Sequence, residues 1–271
     1  MSEQAEKARR FLELHRPGDP LLLANAWDRG SAKLLASLGF EAPATTSSGF
    51  AATLARLDGS ATREQALANA AEIAAASELP ASADLENGFA EDPAGVAETI
   101  ALAIDAGLAG CSIEDYSGDA DAPIYELERA RERVAAAADA AHAGPVRLVL
   151  TARAENYLHG CTDLDDTIER LQAYERAGAD VLYAPGVTEL EQIRRIVDSV
   201  GRPVNVLALA SAPPVAQLAS VGVARVSVGG AFAFAALGAV VEAASELRDA
   251  GSYGYWTRVR AGVEAVRDAF G

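Results

Sequence analysis

Lysine is nearly missing from this sequence: Lys7 and Lys33 are its only two, and neither sits in a strand-like run. That excludes the Schiff-base chemistry of a barrel aldolase, which needs a strand-borne amine. Cysteine is equally scarce. Cys111 and Cys161 form no disulfide framework, and with three histidines they fall into no zinc-ligand spacing. A reducing, cytoplasmic setting is expected. Positive charge is outweighed, leaving a net charge of −16 and a pI near 4.6, which argues against nucleic acid and anionic membranes as partners. No apolar run is long enough to span a bilayer. The first 20 residues interleave charges with apolar positions and lack the apolar core of a signal peptide. Nor does a G-x-G-x-x-G follow the first strand-like run, which weakens a dinucleotide-binding reading.

What is present is a repeating grammar. The 271 residues are 50% hydrophobic, enough for one large α/β domain. We read residues 1–271 as a single barrel domain, with a helix within 1–17 and a helical extension at 251–271. Strands are expected at 21–26, 42–48, 81–86, 110–115, 147–153, 179–185, 203–208 and 224–229. Helical spacing of Ala, Leu, Ile and Val fills segments such as 94–106, 126–142, 163–177 and 188–200. The even strands each follow a glycine (Gly39, Gly107, Gly178, Gly222), where a left-handed helix cap belongs. The odd strands follow or begin with Pro20, Pro80, Pro145 and Pro203. A βαβα unit repeated in this way predicts a (β/α)8 TIM barrel.

In such a barrel, function gathers at the C-terminal ends of the strands. Those positions carry Thr46-Ser47-Ser48-Gly49 after the second strand, Asp84 and Glu86 after the third, and Glu114-Asp115 after the fourth. Arg153 and Glu155 follow the fifth, Tyr183 the sixth, and Asn205 lies in the seventh. Asp84, Glu86 and Glu114, with Asp58 from the loop Leu57-Asp58-Gly59, supply hard oxygen donors suited to Mg²⁺, or to Mn²⁺ in its place. Arg153 offers a fork for a substrate carboxylate or phosphate, or else a buried partner for Glu155 or Glu114. Ser48-Gly49 lets backbone amides approach an anion.

The ordered set Ser48-Gly49-Phe50, Asp58, Asp84-x-Glu86-x-Gly88, Ile113-Glu114-Asp115 and Thr151-Ala152-Arg153-x-Glu155 resembles the isocitrate lyase/phosphoenolpyruvate mutase superfamily from about Leu21 to Ala235. The resemblance implies a barrel that binds Mg²⁺ and a 2-oxo acid or enolpyruvate. It also implies a homo-oligomer, commonly a dimer of dimers, whose last helices are exchanged between neighbours. By the same likeness Asp84 touches the metal directly, and Asp58, Glu86 and Glu114 act largely through water. The resemblance also implies that Ser48, Gly49 and Arg153 hold the substrate carboxylate. Thr46 and Phe50 are further substrate-binding candidates, and Asn205 is expected either at the distal part of the substrate or as a partner for barrel backbone. Two departures stand out. Glu86 replaces the family's usual aspartate. The segment 116–123 carries neither the Lys-Cys-Gly-His motif of the carbon–carbon lyases nor the Lys and Asn of the phosphonate enzymes.

Formation of a pyruvate-like enolate survives both departures. The expectation is a Mg²⁺-dependent carbon–carbon lyase acting on a small 2-oxo acid or related dicarboxylate. Arg153, Glu155 and His159 are the catalytic candidates, with Tyr157 a further acid–base candidate. His15 and His142 are expected on surface helices. The alternatives are a phosphonopyruvate or phosphoenolpyruvate mutase or hydrolase, a non-catalytic 2-oxo acid binder, and a sugar-phosphate barrel enzyme gripping phosphate at Val228-Gly229-Gly230-Ala231.

Overall fold

The computed structural model describes residues 2–271. Eight parallel strands close in sequence order: β1 Leu21–Ala26, β2 Pro43–Thr45, β3 Ser82–Asp84, β4 Gly110–Glu114, β5 Val149–Arg153, β6 Val181–Tyr183, β7 Val204–Leu207 and β8 Arg225–Ser227. β8 returns to pair with β1, so the sheet has no free edge. The helices are α1 Glu3–Glu13, α2 Arg29–Ser37, α3 Ser47–Thr53, α4 Arg63–Ala74, α5 Pro93–Asp105, α6 Leu127–His142, α7 Leu164–Arg176, α8 Leu190–Ser199, α9 Val215–Ser220, α10 Ala231–Ala250 and α11 Trp256–Phe270. This is the expected (β/α)8 barrel with extra helices at both ends.

The punctuation has a conformational basis. Gly39, Gly107, Gly178 and Gly222 have φ of 90°, 85°, 106° and 87°, the left-handed region that ends a helix at low cost only for glycine. The ladders are shorter than the apolar runs suggested. β2 stops at Thr45 rather than residue 48, because the Thr46 side chain accepts from Gly49 N at 3.4 Å and starts α3. β3 stops at Asp84, because Glu86 takes φ 48°.

Helix α1 closes the N-terminal end of the barrel. Its Ala5, Ala8 and Phe11, with Leu14 beyond, pack onto Leu21, Leu23, Ala44, Val149 and Val181 from the strands. A side chain at Gly110 would collide with the Phe11 ring. The surface expectation for His15 is corrected here: it follows α1 and is buried. One ring nitrogen lies 2.8 Å from the Phe11 carbonyl and Nε2 lies 3.1 Å from Arg225 Nη1. Apolar burial, reinforced by the nearby Arg225 charge, lowers its pKa to about 3. The unfolded chain therefore binds a proton that the folded chain refuses between pH 6.5 and about 3. Stability is complete above pH 6.5 and falls by several kcal/mol as pH drops through that window. His15→Gln keeps both hydrogen bonds without a titrating ring. Urea titrations from pH 7 to 4 are expected to show a shallower loss in this variant than in the parent chain.

The C-terminal helices differ from the rest. α10 spans 20 residues yet buries only Ala233, and α11 buries none. Phe234, Val240 and Val241 are 52%, 63% and 64% exposed. α11 turns back toward α2, where Lys33 Nζ lies 5.8 Å from the Phe270 ring centre. Among the described residues no helix is long and apolar enough to cross a membrane.

Candidate active site

The C-terminal ends of β3, β4 and β5 bring Asp84, Glu114 and Arg153 into contact. Arg153 Nη1 lies 2.9 Å from Asp84 Oδ1 and 3.1 Å from Glu114 Oε2, while its Nε lies 2.8 Å from Glu155 Oε1. Both readings of Arg153 thus bear on the same side chain: it points into the cavity, and three carboxylates already share its charge. Burial pulls the Arg153 pKa down, but Glu114, Glu155 and Asp84 together drive it well above the ordinary value. It is a permanent cation at the centre of an acidic ring.

The ring holds more negative charge than Arg153 can offset. Burial, with repulsion from Asp84 and Asp58, pushes Glu86 up to about 7. Burial also raises Glu114 and Glu155 despite the attraction of Arg153. Asp58, from the exposed loop after α3, is raised by partial desolvation and by Asp84, against a hydrogen bond from Ser47. Glu86 also occupies a left-handed conformation, which costs a non-glycine residue roughly 1–3 kcal/mol. Like-charge crowding at one spot is what a bound cation would relieve.

Whether Mg²⁺ fits turns on these donors. All are hard oxygens, but among the described residues no three His, Cys, Asp or Glu side chains converge tightly enough to cage an ion. The arrangement suits a small cation held by one or two carboxylates, with water filling the remaining positions. Asp84 is best placed to be one of them. Thr45 Oγ1 accepts from its backbone N–H at 2.8 Å, and its Oδ2 accepts from Ser47 N at 3.4 Å.

Two connected hollows surround this ring. The inner one, about 190 Å³, descends into the barrel past Ser48, Ser82, Ser112, Tyr183 and Asn205 to Arg225. The outer one, about 460 Å³, opens between Asp58, Glu86, Glu114, Tyr116, Glu155 and His159. Ser47, Asp58 and Arg153 belong to both. A hollow of about 410 Å³ at the opposite end of the barrel, against Leu21 and Phe40, gathers no comparable set of groups.

The remaining expected residues separate. Thr46 and Ser48 line the inner hollow, with their hydroxyls 3.2 Å apart. Gly49 is buried beside them, and a Cβ there would press on Thr46, Ala233 and Trp27, so only glycine fits this turn of α3. Phe50 faces a small crevice beside Asp84 and Glu86. His159 stacks flat on Tyr116 with ring centres 4.0 Å apart, and partial burial lowers its pKa. Asn205 donates to Ser227 Oγ at 2.9 Å and accepts from Arg225 Nε at 3.0 Å. The segment after β4 is a short closed hairpin, with Tyr116 bridging Ile124 and Ser117 N donating to Pro123 O at 2.8 Å.

Three contributors went unread in the sequence. Asn25 Oδ1 accepts from Val228 N and Gly229 N at 3.0 and 2.9 Å, fixing the loop after β8. Its signal was a lone amide in the apolar run LLLANA. Arg225 carried a similar signal, a charge inside an otherwise apolar strand, two residues from Ser227. Tyr116, set beside His159, carried none.

Residues 11–248 match the model of the phosphoenolpyruvate phosphomutase family. Among curated relatives, an uncharacterized Mycobacterium tuberculosis protein is 32% identical over 88% of this chain and 89% of its own length. The 2-methylisocitrate lyase of Escherichia coli is 30% identical, with 71% and 70% covered. The oxaloacetate decarboxylase of Pseudomonas fluorescens is 28% identical, with 89% and 84% covered. Among solved structures, a Burkholderia cenocepacia protein provisionally assigned as a lyase/mutase superposes with a TM-score of 0.90 at 52% identity, over 93% of this chain and 91% of the other. A phosphonopyruvate hydrolase complexed with oxalate and Mg²⁺ gives 0.80 at 25% identity, over 91% and 88%.

Proposed function

Because this chain belongs to the phosphoenolpyruvate phosphomutase family, within the isocitrate lyase/phosphoenolpyruvate mutase superfamily, we propose that it is a Mg²⁺-dependent carbon–carbon lyase. Its substrate on this reading is a small 2-oxo acid or related dicarboxylate, and the reaction passes through a pyruvate-type enolate. The observation that carries the reading is the acidic ring around Arg153, which has surplus negative charge and strain at Glu86.

When bound, the cation supplies electrophilic pull on the 2-oxo group and so favours the enolate. Asp84 would hold it most directly, with Asp58, Glu86 and Glu114 acting largely through water. Arg153 keeps Glu114 and Glu155 in fixed orientations and presents a permanent positive charge beside the substrate. Tyr183, under the Arg153 guanidinium at 5.3 Å, stays protonated because burial pushes its pKa up to about 12. It can therefore donate a hydrogen bond to a developing oxyanion. Proton delivery falls to Glu155, which is bonded to Arg153, or to His159 at the mouth. The closed hairpin after β4 brings no Lys, Cys, His or Asn into the outer hollow. Decarboxylation of a β-oxo diacid makes the smallest demand on such groups, which favours oxaloacetate as substrate over isocitrate-type cleavage.

The test is to incubate the protein and Mg²⁺ with oxaloacetate, 2-methylisocitrate, isocitrate and phosphonopyruvate while following pyruvate, glyoxylate and phosphate. Pyruvate from oxaloacetate, with no phosphate from phosphonopyruvate, is the expected outcome. Phosphate release would move the chain to the phosphonate branch, and saturable binding without product would make it a sensor.

A homo-oligomer, a dimer of dimers with its last helices exchanged, belongs to the same proposal. Helix α10 shows a nearly continuous apolar surface that a lone chain leaves in water. Light scattering is expected to give a mass above that of one 28.0 kDa chain. The pair Val240→Glu and Val241→Glu should lower that mass while the circular dichroism of the barrel is retained.

A further inference from the structure

Two arginines line the inner hollow, and their charges are used differently. Arg153 is shared among three carboxylates. Arg225 is buried at 3% exposure and forms no ion pair with any described Asp or Glu. Its Nε donates to Asn205 Oδ1 at 3.0 Å and its Nη1 to His15 Nε2 at 3.1 Å, both neutral acceptors. Burial brings its pKa down to about 10, so it remains charged at neutral pH. An uncompensated buried cation is costly, and folds seldom keep one without a counter-charge.

Its surroundings are unusual for a barrel interior, where bulky branched side chains normally fill the layers. Here Ser82, Ser112, Asn205 and Ser227 face the same hollow. Thr151, paired with Ser112 in the ladder, keeps a buried Oγ1 with no hydrogen-bond partner. The result is a polar void, positive at its base and continuous with the acidic ring above.

The geometry points to Arg225, with Asn205 and Ser227, as an inner subsite for the second carboxylate of the substrate, which makes this chain selective for dicarboxylates over monocarboxylates. This rests on the reading that the 2-oxo group engages the acidic ring, since one diacid then spans ring and base. Asn205 is held between Arg225 and Ser227, so its amide is oriented as part of the same receptor. Arg153 already shares its charge among Asp84, Glu114 and Glu155, which leaves Arg225 the less committed cation of the two.

Calorimetric titration with malonate, succinate, pyruvate and acetate, in Mg²⁺, compares the parent chain with Arg225→Met, which keeps length and loses charge. The parent is expected to bind the diacids about tenfold or more tightly than the monoacids. Arg225→Met should lose about 10–100-fold for diacids, as for a charge-assisted hydrogen bond, and less than about threefold for pyruvate. Equal losses for both classes, or none, would overturn the assignment. Should the variant not fold, a bromide soak of parent crystals decides: an anomalous peak beside the Arg225 guanidinium supports the subsite, and its absence refutes it. Binding is read here, not turnover. A chain that cleaves nothing yet shows the Arg225-dependent preference sinks the lyase reading alone, whereas cleavage of oxaloacetate with an unaltered preference sinks this subsite alone.

Discussion

Asp84→Ala is expected to lower kcat/KM for the 2-oxo acid by about 10³-fold or more, and to abolish the rise in melting temperature that Mg²⁺ gives the parent chain. The size follows from what the carboxylate does. Polarisation of a carbonyl by a bound cation is worth several kcal/mol, and each 1.36 kcal/mol is about tenfold in rate. Asp84 is the acid most firmly aimed into the ring, held by Thr45, Ser47 and Arg153. No set of three described side chains stands ready to chelate in its place. The fold should survive, because Arg153 keeps Glu114 and Glu155 as partners and the Asp84 site is only half-buried. Asp84→Asn, which keeps the shape and loses the charge, should fail nearly as badly. Retention of Mg²⁺-dependent stabilisation by the alanine variant would remove Asp84 from the metal site and the enolate chemistry with it.

The barrel was legible in the sequence because its two signals are local. A glycine that must turn left-handed and a short strand-like run both act within a few positions, so the alternation of strands and helices followed from local pattern. Boundaries were less legible where a side chain competes with the ladder, as Thr46 does by capping α3. The acids at the strand ends were readable one by one. Their common attachment to Arg153 was not, since it depends on three strands meeting across the barrel. His15 shows the opposite failure. Its neighbours in sequence are charged, as on a surface helix, yet the ring turns under the barrel floor to meet a residue 210 positions away. For Gly49, expected to let its backbone approach an anion, the structure adds a packing constraint that the sequence did not show, because helix α10 crosses its face.

The buried support beneath the ring yields the largest effect expected on stability. Asp115 is 3% exposed, and its Oδ1 accepts from Glu155 N at 2.7 Å. Its Oδ2 accepts from Tyr174 Oη and, at 3.3 Å, from Arg170 Nη1. Its backbone carbonyl accepts from Tyr125 N at 2.9 Å, at the far end of the hairpin after β4. One carboxylate therefore joins β4, the turn after β5 and helix α7. Asp115→Ala strands a buried phenol, a buried peptide N–H and part of a guanidinium, and is expected to cost about 3–5 kcal/mol in urea unfolding. Asp115→Asn keeps one acceptor oxygen and should cost markedly less. Tyr174→Phe offers the sharper check. In the parent chain it removes a satisfied hydroxyl and destabilises, but in the Asp115→Ala background the hydroxyl has already lost its acceptor, so the two losses should fall short of their sum by about 1 kcal/mol or more. Additive losses would mean that the phenol does not depend on Asp115. A cost under about 1 kcal/mol for Asp115→Ala would mean that water fills the gap and that Glu155 is held by Arg153 alone. Because Glu155 N is one of the groups released, the alanine variant should also lose kcat while KM changes little, the pattern of a group that positions an acid without touching substrate.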